Sequence, residues 1–469
     1  MKKILNKLLE KIDYKDVIIF LMPFMMFGVY LIILHPGVLS YDSYNQLWQI
    51  KLMTFNNSHP FFHTFIEMVL LKIVNTPAII GLFQITFFSI LWSRICRYNR
   101  IKFSKFSFQY QLLLTFWICL NPLNKVLSVT LWKDVLYSYI VLWFCFEMEK
   151  LIDKKFKLDL KGLIKLSFLL ALMPNLRHNG YLITLVMGIV LFILFIIKDK
   201  KSLNYVCLFC FTLVSLLGFK GLEKIYKVEK GIFSVDSVID YRVLAISGEI
   251  GRYGTYTEEE KNEINNYVDF DCMVERTKYN ALDQMWVSCK GNPEAMRKNR
   301  ISMYKTIFKM SLKNKKVVIG YLLKESGYVW RIVRYKDSWG NINYYGLFDS
   351  NAGELLYGRY FADSNIHLAL TKYILFTRTN RVFQTMLYSG ALCLYLSIIL
   401  LIVLKNKYNA KIFLVFLPAL VNLIGIALTA TVNDVRYYYS NFLVFYLLTA
   451  IFLKYWLDDK KRLPKKINK

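Results

Sequence analysis

The chain has 469 residues, 55% of them hydrophobic and 16% aromatic, with a mean hydropathy of +0.34. A soluble domain of this length is less apolar and alternates more, which excludes a soluble globular protein. The formal net charge of +28 suits nucleic acid on its face, but Lys and Arg gather in short loops between apolar runs, the pattern of a membrane protein's cytoplasmic loops.

The first apolar run is Val17–Leu34. It approaches the roughly 20 residues that cross a bilayer. It lacks a small-residue cleavage site and further spans follow, so it reads as a retained anchor. A first outer loop then covers 35–76, with Asp42, Asn45, Gln46 and His59, and its polar part closes on His59-Pro60. The run Pro60–Val74 would measure roughly 22 Å as a helix against an apolar core of roughly 30 Å. It holds His63, Glu67 and Lys72. His63 and Glu67 share a helix face, and the run reads as an interfacial or half-inserted helix.

Further spans are expected at about 77–95, 107–122, 127–146, 162–176, 181–197 and 204–222. Basic loops at Arg97–Lys105, Lys150–Lys161 and Lys198 fall between them on the cytoplasmic side. A long hydrophilic segment, 223–385, stays outside. It is rich in Tyr, turn glycines and charges of both signs, so a mixed structure with its own small core is expected. Thr257-Glu258-Glu259-Glu260 reads as a helix start. Asn299–Leu312 reads as an amphipathic basic helix, and Tyr321–Tyr335 as an aromatic stretch against the membrane surface. Three last spans, about 386–404, 411–430 and 438–456, lead to a basic tail.

The expected fold is therefore an all-α polytopic membrane protein of about ten transmembrane helices. An N-terminal membrane part covers 1–222, the extracytoplasmic segment 223–385, and C-terminal helices with the tail 386–469. Both termini are expected in the cytoplasm.

Of eight cysteines, Cys96, Cys119, Cys145, Cys207, Cys210 and Cys393 lie in or beside spans. Cys207-Leu208-Phe209-Cys210 has redox or metal spacing, but inside an apolar run a buried cysteine is the simpler reading. Cys272 and Cys289 are alone in the outer segment and form a disulfide candidate. Asp269-Phe270-Asp271 has the spacing of a metal-nucleotide pair, but no Gly-rich phosphate loop accompanies it, and solvated loop carboxylates are the ordinary explanation.

Polar groups converge near the outer face from separate loops. The first loop supplies Asp42 and His59. The expected fourth span opens Ser128-Val129-Thr130-Leu131-Trp132-Lys133-Asp134, and the loop after the fifth holds Arg177, His178 and Asn179. The loop after the ninth holds Asn433, Asp434 and Arg436, followed by Tyr437-Tyr438-Tyr439. Each has a bland reading: Asp42 as a helix cap, Lys133 as a snorkelling cation, Arg436 with its tyrosines as an interfacial anchor. Four such groups on one face point instead to chemistry, because ionisable groups at membrane depth are costly. They offer carboxylates for base or metal work and cations for phosphate.

One apolar run, an outer loop with Ser40-Tyr41-Asp42-Ser43-Tyr44, and His59-Pro60 opening the next apolar helix resemble the start of the multi-pass GT-C glycosyltransferases, such as protein O-mannosyltransferases and lipid A aminoarabinose transferases. The Trp132-Lys133-Asp134 span start and the Arg177-His178-Asn179-Gly180 loop are similar to those of uncharacterised bacterial multi-pass proteins. The resemblance implies a polyprenyl-phosphate sugar donor, an envelope acceptor, and a first-loop acid that deprotonates the acceptor or orients a divalent metal. Asp42 matches that acid. Ser43 stands where the family often has a second acid, and Phe61 where the loop often ends His-Pro-Pro, so metal use is left open.

Charge alone assigns the rest: Lys133, Arg177 and Arg436 to the donor phosphate, with His59, Asp134, His178, Asn179 and Asp434 in support. Two rivals stand beside this reading. One is a transporter or flippase of lipid-linked saccharides, although no internal repeat is present. The other is a membrane protein without chemistry.

Overall fold

A computed structural model describes residues 13–101, 105–198, 204–231, 235–277, 288–333, 365–429 and 434–460. Among them the chain is helical without a strand; two isolated bridges, Val38 with Thr130 and Asn56 with Glu229, are the only extended pairings. It is an all-α, multi-pass membrane protein. Among the described residues, six stretches are long and apolar enough to cross a bilayer, or seven if one bent helix pair is a single span.

The first membrane helix is α1 (Tyr14–Ile33), started by the Asp13 side chain accepting from the Lys15 amide. Two short helices of the first loop follow, α2 (Tyr41–Leu52) and α3 (Phe61–Ile73). At 13 residues, α3 is about 20 Å long, too short to span. It buries Phe61, His63, Thr64, Glu67, Met68 and Leu71 on one side. Next come α4 (Ala78–Asn99), α5 (Lys105–Leu120) and α6 (Pro122–Val129). Pro122 cannot continue α5, because it has no amide to donate, and the chain turns by 68° into α6.

Then α7 (Lys133–Asp153) runs through the middle of the bundle with nearly every side chain buried. This corrects the span expected at 127–146. Residues 122–129 form a separate short helix, and Lys133 and Asp134 sit in the opening turn of α7. Helices α8 (Leu160–Leu176), α9 (Gly180–Lys198) and α10 (Asn204–Ile225) complete the N-terminal part. The membrane core runs from Ile19 to Ile451 and is dominated by α7 and the last helix.

The segment after α10 is helical among its described residues, without the mixed character expected from its composition. Helices α11 (Val235–Tyr253), α12 (Glu258–Asn265), α13 (Phe270–Arg276), α14 (Pro293–Lys298), α15 (Arg300–Lys313) and α16 (Lys315–Glu325) enclose a second, smaller core. The helix start at Thr257 is a capping box with Glu260. Helix α15 turns Met303, Ile307 and Met310 inward, as an amphipathic helix does. A disulfide joins Cys272 to Cys289, 5.4 Å apart at Cα. Asp269 caps α13, and Asp271 pairs with Lys261 at 2.9 Å, so that carboxylate pair is structural.

Tyr321 is buried in this second core. Tyr328 packs on the membrane core and donates to the Ile426 carbonyl at 2.9 Å. The aromatic stretch thus divides between two cores, and 334–335 lie outside the described residues, as do Gly340, Gly353 and Asn433. After α17 (Asn365–Thr379) and α18 (Arg381–Tyr388), the chain returns as α19 (Gly390–Tyr408), α20 (Phe413–Thr429) and α21 (Tyr439–Lys460).

Candidate active site

The site is built from helix ends. Asp42 lies in the first turn of α2, but Ser40, not Asp42, caps that helix, in a capping box with Ser43. That removes the capping explanation of Asp42. The extended 38–40 stretch and the opening turn of α2 are stitched to the chain just ahead of α7. Val38 donates to the Val129 carbonyl at 2.9 Å, Leu131 donates back to Val38 at 3.1 Å, and the Ser43 hydroxyl donates to Leu131 at 2.8 Å. Trp132 Nε1 donates to Ser40 Oγ. Gly37 allows this approach: its φ is +121°, and an added Cβ would stand 2.7 Å from the Leu131 side chain. The stitch brings Asp42 beside Lys133.

Three carboxylates and three cations then interlock. Arg436 Nη1 donates to Asp42 Oδ2 at 2.9 Å, and its Nε lies 3.3 Å from Asp434 Oδ2. Lys133 Nζ lies 3.5 Å from the same Asp42 oxygen and donates to His59 Nδ1 at 2.8 Å. Arg177 Nη1 is 3.0 Å from Asp134 Oδ1 and donates to the Tyr437 carbonyl at 3.3 Å. Tyr437 joins the two halves. Its hydroxyl accepts from Arg436 at 3.3 Å, and its ring lies under the Arg177 guanidinium at 4.5 Å. The Arg436 guanidinium also stacks over Trp132 at 4.6 Å.

Burial differs within the cluster. The Arg177 and Asp134 side chains are 9% and 1% exposed, whereas Asp42 keeps 26% of its surface open. The reachable part is therefore Asp42 with Lys133, Arg436 and His59. Burial opposes the Asp42 charge, but Arg436 and Lys133 outweigh it and hold the carboxyl well below the usual carboxylate range. His59 is pushed down to about 3, by burial first and by Lys133 second, so it is a neutral acceptor for the ammonium.

Behind His59 the Gln46 amide donates to Thr64 at 2.9 Å and meets His63 Nδ1 at 3.0 Å. His63 in turn stands 3.7 Å from Glu67. Burial pushes the Glu67 carboxyl well above its ordinary value.

Of the expected residues, Asp42, His59, Lys133, Asp134, Arg177, Asp434 and Arg436 meet in this cluster. His178 and Asn179 do not. The His178 imidazole bonds the backbone at Asn57, and Asn179 Oδ1 accepts from Thr429 at 3.3 Å, so both fasten loops. Sequence reasoning missed Trp132 and Tyr437 as members. Tyr438 and Tyr439 are fully buried and do not anchor at an interface. The usable signal was an aromatic residue next to each functional cation, in Trp132-Lys133 and Arg436-Tyr437.

Among the described residues no three His, Cys, Asp or Glu side chains converge as metal ligands. Lys133 and Arg436 both sit on Asp42 Oδ2, and two cations at one carboxylate repel a divalent ion, so these residues do not fit a metal. No protein-family model, no curated protein and no solved structure matches this chain.

Proposed function

We propose that this protein is a GT-C-type glycosyltransferase that moves a sugar from a polyprenyl-phosphate donor to a cell-envelope acceptor, with Asp42 at the reacting centre. The observation that carries the reading is the partly open Asp42–Lys133–Arg436–His59 group at the helix ends of an apolar bundle. A prenyl tail belongs in the bilayer and its phosphate at the interface. Lys133 and Arg436 are the cations within reach of such a phosphate, and their N–H groups would stabilise charge on the leaving oxygen.

The pairing also orders the events. With both cations on Asp42, the carboxylate is a weak base. A donor phosphate draws Lys133 and Arg436 toward itself, and the proton affinity of Asp42 rises as they leave. Base strength then develops only with donor bound, and Asp42 takes the proton of the acceptor hydroxyl. Arg177 is sealed against Asp134 and Tyr437, so it acts by holding Tyr437 and Arg436 in place and not as a phosphate ligand.

The proposed arrangement has ten spans: α1, α4, α5, α7, α8, α9, α10, α19, α20 and α21. The apolar stretch Gly390–Thr429 counts twice. Its 40 residues are about 60 Å of helix, twice the apolar thickness, and a tight turn at Asn409–Ile412 interrupts it. Helix α7 belongs in the count despite its charges, because Asp134, Glu147 and Glu149 are buried against protein and Lys133, Lys150 and Asp153 lie near its ends. Both termini lie in the cytoplasm and the Asp42 face outside, which agrees with the basic loops and with a disulfide in the segment above that face.

The test is Asp42→Asn, assayed for sugar transfer in membranes from cells supplied with lipid-linked donor. Ser40 still caps α2, but Arg436 and Lys133 lose their shared carboxylate, so melting should fall, and transfer per folded protein should fall by about two orders of magnitude or more. Near wild-type transfer would overturn the assignment and favour a transporter of lipid-linked saccharides.

A further inference from the structure

At the other end of the bundle a slot of about 150 Å³ opens between α4, α7 and α8. It is separate from the Asp42 cluster: Glu147 is 13 residues beyond Asp134 on α7, about 20 Å along the axis. Its walls are apolar, formed by Phe87, Ile90, Trp143 and Phe146. Ile90 is exposed on the outside of the bundle and shares an outer stripe of α4 with Leu82, eight residues before it, and Arg94, four after it. The slot therefore opens toward the bilayer.

Its polar rim is Arg94, Lys150, Lys165 and Glu147. Both lysines share one carboxylate oxygen, Glu147 Oε1, at 3.0 and 3.3 Å. That same oxygen accepts from Trp143 Nε1 at 3.2 Å. Three cations thus face one carboxylate, whereas the Asp42 cluster balances three against three. An apolar slot open to lipid, with surplus positive charge at its rim, matches a single kind of occupant in chemistry and shape.

We propose that this slot binds one acidic phospholipid of the surrounding leaflet. An acyl chain lies along Ile90, Phe87 and Trp143, and the headgroup phosphate meets Arg94, Lys150 and Lys165. Glu147 competes with that phosphate for the two lysines, so it weakens the site and keeps the lysines in position when the site is empty. The proposal does not depend on the reaction at Asp42.

The experiment uses the full chain in mild detergent, titrated with phosphatidylglycerol or phosphatidylcholine, with bound lipid counted by native mass spectrometry. One phosphatidylglycerol should bind in preference to phosphatidylcholine. Arg94→Ala with Lys165→Ala, both on the bundle exterior, should weaken phosphatidylglycerol binding by about 30-fold, as expected for two cations at a phosphate. Glu147→Gln should shift affinity the other way, toward tighter binding. A Lys405→Ala, Lys407→Ala protein controls for diffuse attraction to basic surface and should bind as wild type. Equal binding of the two lipids, or a loss in the control matching that in the Arg94/Lys165 protein, would overturn the proposal. Inorganic phosphate displacing the lipid completely would also overturn it, since the apolar slot would then contribute nothing.

Discussion

The two ends of the bundle hold similar side chains and use them differently. At the Asp42 end each cation has a carboxylate partner, the partners come from different helix termini, and aromatic rings pack over the guanidinium groups. At the Glu147 end a single carboxylate serves two lysines and the rim stays open. A balanced, interlocked set positions its members and resists change. A set with surplus charge takes its missing counter-ion from outside. This contrast is the ground for placing the proposed chemistry at the first end and the proposed lipid site at the second.

The sharpest way to break this comparison is to show that the two ends share one side of the membrane. Glu259→Cys in the outer segment and Lys161→Cys beside the opposite end are both at exposed positions. An impermeant maleimide added to intact cells should label the first and spare the second. Labelling at Lys161→Cys alone would invert the arrangement, and labelling at both would dissolve it.

Next in size is the stability of each end. Arg177→Ala leaves Asp134 buried without its cation, and the cost should be about 3–5 kcal/mol. Arg177→Met with Asp134→Leu removes both charges and should recover most of that loss. Lys165, 40% exposed, should cost no more than about 1 kcal/mol when changed to Ala. Thermal melts in detergent measure all three. If the Arg177 and Lys165 changes cost the same, the contrast between the ends is not energetic.

The smallest expected effect is in pH. Burial holds His59 and His63 down at about 3 and His178 at about 4. All three belong to the Asp42 end. Their folded values lie below the unfolded value of roughly 6.5, so the unfolded chain binds more protons and stability rises with pH. That contribution is complete above about pH 6.5 and is lost as pH falls toward the folded values. At pH 5.5 each histidine should withdraw about 1.4 kcal/mol. Glu67, raised by burial, acts in the opposite sense, so in a Glu67→Gln background the melting temperature should fall between pH 7.5 and 5.5, and His178→Gln should remove about a third of that fall. A pH-independent melt in that background would show that these imidazoles stay accessible to protons.

Much of the fold was legible because bilayer physics is written locally. An apolar run of sufficient length has few alternatives, and α1, α4, α8, α9 and α10 begin within a few residues of the expected positions. The capping box at Thr257 and the inward face of α15 are likewise local patterns. The break at Pro122 was legible, but the separate helix α6 was not, because its apolar residues run on toward those of α7 in the hydropathy pattern. The outer segment looked mixed because its Gly and Tyr content signals turns, whereas a shared core made its described residues helical.

The sequence by itself determined that this is a multi-pass helical membrane protein and which charged residues stand near one face. It determined the short first-loop helix too, since the run Pro60–Val74 is too short to cross the bilayer. Only the tertiary structure decided which charges are partners. Asp42 and Arg436 are 394 residues apart, and nothing in the local pattern of either specifies the other. Their meeting depends on the stitch between 38–43 and 129–132 and on the turn that delivers Arg436 to the end of α7. Helical periodicity reports which face a side chain occupies, and packing between helices decides what that face meets. That is why the site residues could be named in advance while their pairing, and the burial of Arg177 against Asp134 and Tyr437, could not.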